Sequence, residues 1–292
     1  VEKYLFVKGY RENESLRESF NSLARETFGI EFETWYQYGF WTDKYQPYSF
    51  IDNGKVVANV SVNILNLIIN NEEKKAVQIG TVMTHPDYRN QGLSKRLMDK
   101  VLEDYKNVDL FYLFANETVL DFYPKFGFES LKEVQYTMDY NHVPSKNLKI
   151  NKLNGRNQDD LAFIYKLAAR KQPLSRTFAA INNEELLMFY CLMVFSQDLY
   201  YLEDEQALVI FQIDDQVLHL YDIVSLENVS TLDILRKISN ENITQIIFHY
   251  QPDDQELELK KQPYQSDTVL FVKNMKMNAL PLEFKHPITS QA

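Results

Sequence analysis

Glycine is scarce in this chain. Eight glycines occur in 292 residues, where average usage would place about 20, and the last of them is Gly155. A loop that lets a phosphate lie against the backbone needs positions without a Cβ, so such a site is confined to the first half and the two halves do different chemistry. Cysteine is scarcer still. Cys191 stands alone in the apolar run Leu186–Phe195, which excludes an intrachain disulfide and suits a reducing, cytoplasmic setting. A thiol in such a run reads as a small hydrophobe rather than a nucleophile. The run is too short to span a bilayer, and Val1–Tyr10 lacks the charged, then apolar, then small-residue pattern of an export signal. Neither membrane insertion nor export is expected. His142, His219, His249 and His286 are isolated in sequence, no spacing suits zinc, and no metal is expected.

Positive charge is also in deficit. The 31 basic residues face 41 acidic ones, for a net charge of -10, with 18 against 21 in residues 1–150 and 13 against 20 in 151–292. Binding to a nucleic-acid backbone needs clustered Lys and Arg, so no nucleic-acid partner is expected. What the chain does have is apolar material, 45% hydrophobic and 14% aromatic, enough for sizeable cores, and a length that suits two domains.

Along the first half, a strand at Tyr4–Gly9 precedes a helical pattern from Glu14 to Thr27, with Leu16, Phe20 and Leu23 on one face. An aromatic stretch follows from Trp35 to Tyr48, among Glu31, Glu33 and Asp43. Tyr48–Ile51 and Val56–Ile69 flank Asp52, Asn53 and Gly54, a hairpin signal. Further strands are predicted at Ala76–Thr84, Leu110–Ala115 and Glu133–Tyr140, with helices at Gly92–Tyr105 and Thr118–Tyr123. Residues 141–150 read as a linker. Beyond it the pattern gives helices near 159–171 and 183–196, strands near 199–203, 206–213 and 216–224, a helix near 228–239, and strands near 244–250 and 268–273. That order repeats the order of the first half, although no sequence repeat is visible.

The chemistry concentrates in Thr81–Arg96, where a strand ends and a helix begins with its first amides unpaired, a ready anion site. Gly92 admits close approach, and Arg89 and Lys95 add charge for a pyrophosphate. Local spacing alone equally allows a plain strand-to-helix turn. Arg89, Asn90, Gln91, Gly92, Leu93 and Ser94 resemble the [Gln/Arg]-x-x-Gly-x-[Gly/Ala] loop of the GCN5-related N-acetyltransferases (GNAT), with Ser94 where Gly or Ala is usual. His85–Tyr88 before it, and Ala115–Glu117 with Phe122–Phe128 after it, are similar to that family as well.

The resemblance implies an α/β fold with a mixed sheet, a catalytic domain at residues 1–140, and acetyl-CoA as co-substrate. The pantetheine arm would lie along Val82, Met83 and Thr84 as an added strand, and the pyrophosphate would meet the amides of Arg89–Ser94. Asn116 and Glu117 would adjoin the cofactor, though Asn116 also suits a helix cap. Tyr123 would protonate the departing CoA thiolate; its alternative is a core aromatic beside Phe122 and Phe126. Many relatives carry a Glu on the pantetheine strand, whereas Ala76–Thr81 has no carboxylate and Gln78 can only position water. Glu31, Glu33 and Asp43 are candidate bases, and with Trp35 they form a candidate wall for a cationic acceptor, a reading that competes with simple core packing.

In 151–292 the segment matching the phosphate loop, Ser225–Ser230, lacks glycine and carries Glu227, so a degenerate GNAT-like domain is expected there. The tandem arrangement loosely resembles the enhanced-intracellular-survival acetyltransferases, whose third, sterol-carrier-like module has no room in 292 residues. The expected activity is direct acetyl transfer to a primary amine of a small molecule or peptide. The rivals are a non-catalytic CoA-binding sensor and a tandem-fold aminoacyl or peptidyl transferase, and a homo-oligomer stays open.

Overall fold

The computed structural model describes residues 3–145, 149–275, 281 and 283–292, and arranges them around two mixed sheets. In chain order the first half gives β1 (Leu5–Lys8), α1 (Glu14–Phe28), α2 (Glu33–Gln37), β2 (Tyr45–Asp52), β3 (Lys55–Ile69), β4 (Glu72–Thr84), α3 (Leu93–Asp104), β5 (Leu110–Asn116), β6 (Glu129–Leu131) and β7 (Val134–Asp139). The second half gives β8 (Ile150–Leu153), α4 (Gln158–Ala168), β9 (Phe178–Ile181), α5 (Glu184–Met193), β10 (Leu199–Leu202) and β11 (Ala207–Asp214). It continues with β12 (Val217–Ser225), α6 (Thr231–Ile238), β13 (Gln245–Phe248), β14 (Lys260–Pro263) and β15 (Thr268–Asn274).

Local signals explain several boundaries. Asn13 caps α1 by accepting from the Leu16 amide, and Gly29 ends the helix in the left-handed region. Asn53 and Gly54 both take positive φ, as the two-residue turn between β2 and β3 demands. The helix expected at Thr118–Tyr123 is instead two 3₁₀ turns, Glu117–Val119 and Tyr123–Phe126. Pro124 has no N–H for an α-helical bond, and Gly127 closes the second turn at φ +80°.

The first sheet runs β1-β2-β3-β4-β5-β15-β6, with β9 also on β3, and the second runs β14-β7-β13-β12-β11-β10-β8. Each holds antiparallel strands and a single parallel pair, β4/β5 in one and β12/β13 in the other. A helix connects each parallel pair, α3 and α6 respectively. The two halves thus repeat one mixed α/β plan, a tandem GNAT-like fold.

A division at residue 140 does not describe how the strands are shared. β7, from the first half, pairs with β13 and β14, whereas β15, from the second, lies between β5 and β6. Each half lends the other a strand. Alternating apolar residues specify that a strand has a buried face, but not which sheet receives it. Of the expected linker 141–150, residues 146–148 lie outside the described residues.

One apolar cluster crosses the halves, joining Phe20, Phe32, Trp35 and Trp41 to Leu187, Met188, Cys191 and Phe195. Cys191 is fully buried within it, and burial pushes its thiol pKa up. The helix carrying Cys191 packs tightly on Gly155, where an added Cβ would stand 2.1 Å from the Cys191 carbonyl oxygen. Gly155→Ala is expected to lower stability by about 1–3 kcal/mol, read from the shift of a urea unfolding curve. Among the described residues, no helix is long and apolar enough to cross a membrane.

Residues 284–290 thread the interior. Phe284, Lys285, His286, Thr289 and Ser290 are all buried. The Ile288 amide donates to the His249 carbonyl, and Thr289 Oγ1 donates to Asp222 at 2.6 Å. Those two contacts lie at the ends of β12 and β13, where the second sheet's parallel pair has stopped pairing at Leu220/Phe248. A segment of the chain itself therefore occupies that gap. His219 and His249, isolated in sequence, meet there with Nδ1 and Nε2 3.0 Å apart and stack with Tyr221.

Candidate active site

β4 and β5 pair only from Ala76/Leu110 to Ile79/Leu113. Beyond that point β4 follows β3 to Thr84, and β5 follows β15 to Asn116. A splayed parallel pair turns a row of backbone donors and acceptors from each strand toward the gap. A cleft of about 1010 Å³ opens there.

A bulge in β4 shapes the opening. Thr81 and Val82 together oppose Val60, between the pairs Gly80/Ser61 and Met83/Asn59. Thr81 has φ +49°, which for a β-branched residue costs of order 1–3 kcal/mol. A buried polar chain offsets that cost. Asn59 Nδ2 donates to the Thr81 carbonyl at 2.8 Å and to Ser61 Oγ at 2.9 Å, and Ser49 Oγ donates to Asn59 Oδ1 at 2.8 Å. Tyr45 hydroxyl shares a 2.9 Å hydrogen bond with Thr81 Oγ1. Asn59, Ser61 and Asn63 stand at every second position of a stretch, Val56–Leu65, that is otherwise apolar, a signal for this network that the search for catalytic types passed over.

Past the bulge, the turn Arg89–Ser94 leads into α3. Asn90 and Gly92 have φ of +61° and +71°, and Gly92 caps the helix with no side-chain hydrogen bond, leaving the first amides without a side-chain acceptor. Nothing lies within 4 Å of the place a Gly92 Cβ would take. Thr84 Oγ1 and Ser94 Oγ are 2.7 Å apart, Arg89 Nε donates to the Thr84 carbonyl at 3.4 Å, and Tyr4 hydroxyl donates to Gln91 Oε1 at 2.7 Å. Strand edges and helix amides of this kind can hold a pantetheine arm and a pyrophosphate.

Val82, Met83, Thr84, Arg89, Ser94, Asn116 and Tyr123 all line the cleft. Asn90, Gln91, Gly92, Leu93 and Glu117 are outside its wall, and Leu93 packs into the apolar core with Leu97 and Met98. Asn116 caps the following turn, its Oδ1 accepting from the Thr118 amide at 3.1 Å. Tyr123 opens the turn Tyr123–Phe126, among Phe122, Phe128 and Phe271. Burial raises its pKa to about 12, so the phenol stays protonated at neutral pH.

The carboxylates expected to face an acceptor do not. Glu31 pairs with Arg25, Glu33 with Arg17 and Asp43 with Arg11, and none of the three lines the cleft. Each is drawn to an arginine of the preceding segment, 6 to 32 positions earlier in the chain. Trp35 does line it, with its indole Nε1 donating to the Glu185 carbonyl at 2.8 Å. Its neighbours in that wall include Phe32 and Tyr45, together with Leu186, Phe189 and Tyr190 from α5. The second half therefore supplies one side of the cleft. Gln291 and Ala292 reach it too: Tyr190 hydroxyl donates to the Gln291 carbonyl, and the Gln78 amide oxygen accepts from the Ala292 amide at 2.8 Å. Asn63 lines the cleft as well, and its buried Nδ2 has no hydrogen-bond partner.

Residues 11–131 match the model of an acetyltransferase (GNAT) domain. Within the first half of the chain, residues 11–131 are thus similar to a GNAT domain. An N-acetyltransferase of Methanocaldococcus jannaschii, itself uncharacterized, is 33% identical over 87 residues, which make up 28% of this chain and 38% of that relative. The chain thus spans well under half the length of this relative. Among solved structures, a GCN5-related N-acetyltransferase from Kribbella flavida superposes with a TM-score of 0.59 at 17% identity, covering 94% of this chain and 72% of the other. Eis1 from Mycobacterium abscessus gives 0.60 at 12% identity, covering 94% and 74%. At such identities the likeness is one of fold. GNAT domains use acetyl-CoA as co-substrate.

Proposed function

We propose that the protein transfers an acetyl group directly from acetyl-CoA to a primary amine. The observation that carries this reading is the convergence of three features on one cleft: the splay of β4 from β5, the open start of α3, and the Tyr123 hydroxyl. The pantetheine amides would pair with the edge formed by Val82–Thr84, and the pyrophosphate would take the amides after Gly92, with Arg89 adding charge. A backbone amide near Val82 would polarise the thioester carbonyl, and the Thr81 bulge would hold that amide in a preset direction. Tyr123 would pass a proton to the sulfur as the C–S bond breaks.

Calorimetric titration with acetyl-CoA tests the reading, using the wild type and Gly92→Asp. Gly92 faces open space, so the new carboxylate meets no clash, although its φ of +71° strains any L residue there and an unfolding curve must show that the variant is folded; the carboxylate stands where the pyrophosphate would bind. A like-charge contact there is expected to weaken binding by about 100-fold or more. Equal affinity in the two proteins would remove the phosphate from this turn. Absence of binding in both would remove acetyl-CoA from the cleft.

A further inference from the structure

Among the described residues, three buried polar atoms without a hydrogen-bond partner belong to side chains around one small chamber: Asn63 Nδ2 on β3, and Asn183 Oδ1 and Glu185 Oε2 at the head of α5. Their residues are only 6%, 3% and 6% exposed, and buried polar atoms are as a rule matched. The remaining atoms at the head of α5 are engaged. Asn183 Nδ2 donates to Ser290 Oγ at 2.8 Å, and Glu185 Oε1 accepts from Thr42 Oγ1 at 3.2 Å and from the Tyr165 hydroxyl at 3.3 Å. Lys44 Nζ stands 2.9 Å from Glu185 Oε2 as an ion partner, and it is also 2.7 Å from Glu184. Lys44, Glu184 and Tyr165 are thus the charged and titratable groups around Glu185.

The chamber has about 10 Å³ of room for the centre of a water molecule, enough for one. One donor and two acceptors match such a molecule. It would accept from Asn63 and donate to Asn183 and Glu185, leaving one lone pair free. Trp35, Tyr45, Asn63 and Leu186 line both the chamber and the cleft. With the pyrophosphate at Arg89–Ser94 and the pantetheine along Val82–Thr84, the thioester would lie toward Thr81 and Gly80, and an amine would reach it past these four residues. We propose that the chamber holds a water molecule through which Glu185 takes the proton of the incoming ammonium group. The proposal rests on the acetyl-transfer reading and adds its proton acceptor. An ammonium proton moves to the water oxygen as a water proton moves to Glu185 Oε2, which leaves the neutral amine. The nitrogen lone pair then forms the C–N bond and the C–S bond breaks. Tyr123 gives its proton to the sulfur and takes the second one that the nitrogen releases, leaving an amide and the CoA thiol. Glu185 returns its proton to solvent once these products depart. The carboxyl carbon and oxygen of Ala292 lie against Gly80 in the same cleft, a rival acceptor for the same proton.

Glu185→Gln tests this, because it keeps an acceptor for Thr42 and Tyr165 and leaves Lys44 paired with Glu184; a urea unfolding curve checks that the fold persists. Acetyl-CoA calorimetry on wild type and variant comes first, then kcat/KM from CoA release for propylamine, phenylethylamine and putrescine between pH 7 and 10. The expected loss in Glu185→Gln is about 100-fold at pH 7 and shrinks to about threefold or less at pH 10, where solution supplies the free amine. The acetyl-CoA dissociation constant should not change. Asn63→Leu, which removes the donor to the water and leaves Glu185 in place, should reproduce that pH-dependent loss. A crystal structure of the wild type should show one water within about 3.2 Å of all three atoms. With acetyl-CoA bound, a loss equal at every pH would give Glu185 a structural role only, and full activity in both variants would pass the proton to Ala292 or to bulk water. Either result, a chamber without an ordered water, or no transfer to any of the three amines overturns this inference alone. Failure of the wild type to bind acetyl-CoA overturns the acetyl-transfer reading and this inference with it.

Discussion

Tyr123→Phe is expected to lower kcat by about 10²–10⁴-fold with little change in the acetyl-CoA dissociation constant. The phenol reaches the cleft from the first residue of a tight turn whose geometry Pro124 and Gly127 fix. Around it Phe122, Phe128 and Phe271 form an apolar collar, and burial raises its pKa to about 12. A thiol has a pKa near 8.5, so a free phenolate never has to accumulate; the proton passes to sulfur while another arrives from the attacking nitrogen. The sign of the pH dependence follows. Because the raised pKa keeps the phenol protonated up to about pH 11, turnover should rise with pH as the amine loses its proton and show no fall from Tyr123 between pH 7 and 10. The measurement is kcat and KM from CoA release across that range, in both proteins. A Phe variant with full kcat would reduce Tyr123 to a packing aromatic.

Lys285→Met is expected to destabilise the protein by about 3–5 kcal/mol. Lys285 has no exposed surface, and its Nζ lies 2.9 Å from Glu133 Oε1 and 3.6 Å above the Tyr264 ring. Burial pulls the ammonium pKa down, while Glu133 opposes the shift. Methionine fills similar volume but leaves the buried carboxylate with the His286 amide, at 2.8 Å, as its donor. An uncompensated buried charge, rather than a lost attraction, accounts for most of the expected cost. Removing both charges, in Glu133→Leu with Lys285→Met, should therefore recover most of the loss, and urea unfolding of the single and double variants checks this. A cost below about 1 kcal/mol in the single variant would mean that Glu133 takes up a proton when left alone. The pair fastens the segment that ends beside Gly80, where an added Cβ would stand 3.0 Å from the Ala292 carbonyl carbon. Loosening it should also raise KM for the amine, since that segment forms part of the cleft.

The local features of the site were legible because local backbone rules produce them. Asn53–Gly54 announced the hairpin between β2 and β3, and Arg89–Ser94 announced an open helix start through a glycine placed directly before a helical pattern. Buried Cys191 followed from the apolar run around it. By contrast, the Thr81 bulge depends on a register slip against Val60 and on hydrogen bonds from Asn59 and Tyr45, partners 22 and 36 positions away that no local pattern names. The carboxylates Glu31, Glu33 and Asp43 were drawn toward the acceptor by their aromatic neighbours, yet their strongest nearby fields are those of Arg25, Arg17 and Arg11. Nearby opposite charges compete effectively with an open cleft, because the pair forms at little cost in chain entropy.

The sequence by itself determined most of the elements and the open turn before α3, since periodicity, caps and glycine placement act over a few residues. Only the tertiary structure decided that β7 and β15 change places between the sheets and that α5 closes one side of the cleft with Leu186 and Phe189. It also carried residues 284–290 through the interior and brought Gln291 and Ala292 to the cleft. A strand's alternation and a helix's apolar face demand burial without specifying a partner, and partners more than a hundred residues apart are chosen by the packing of the whole chain.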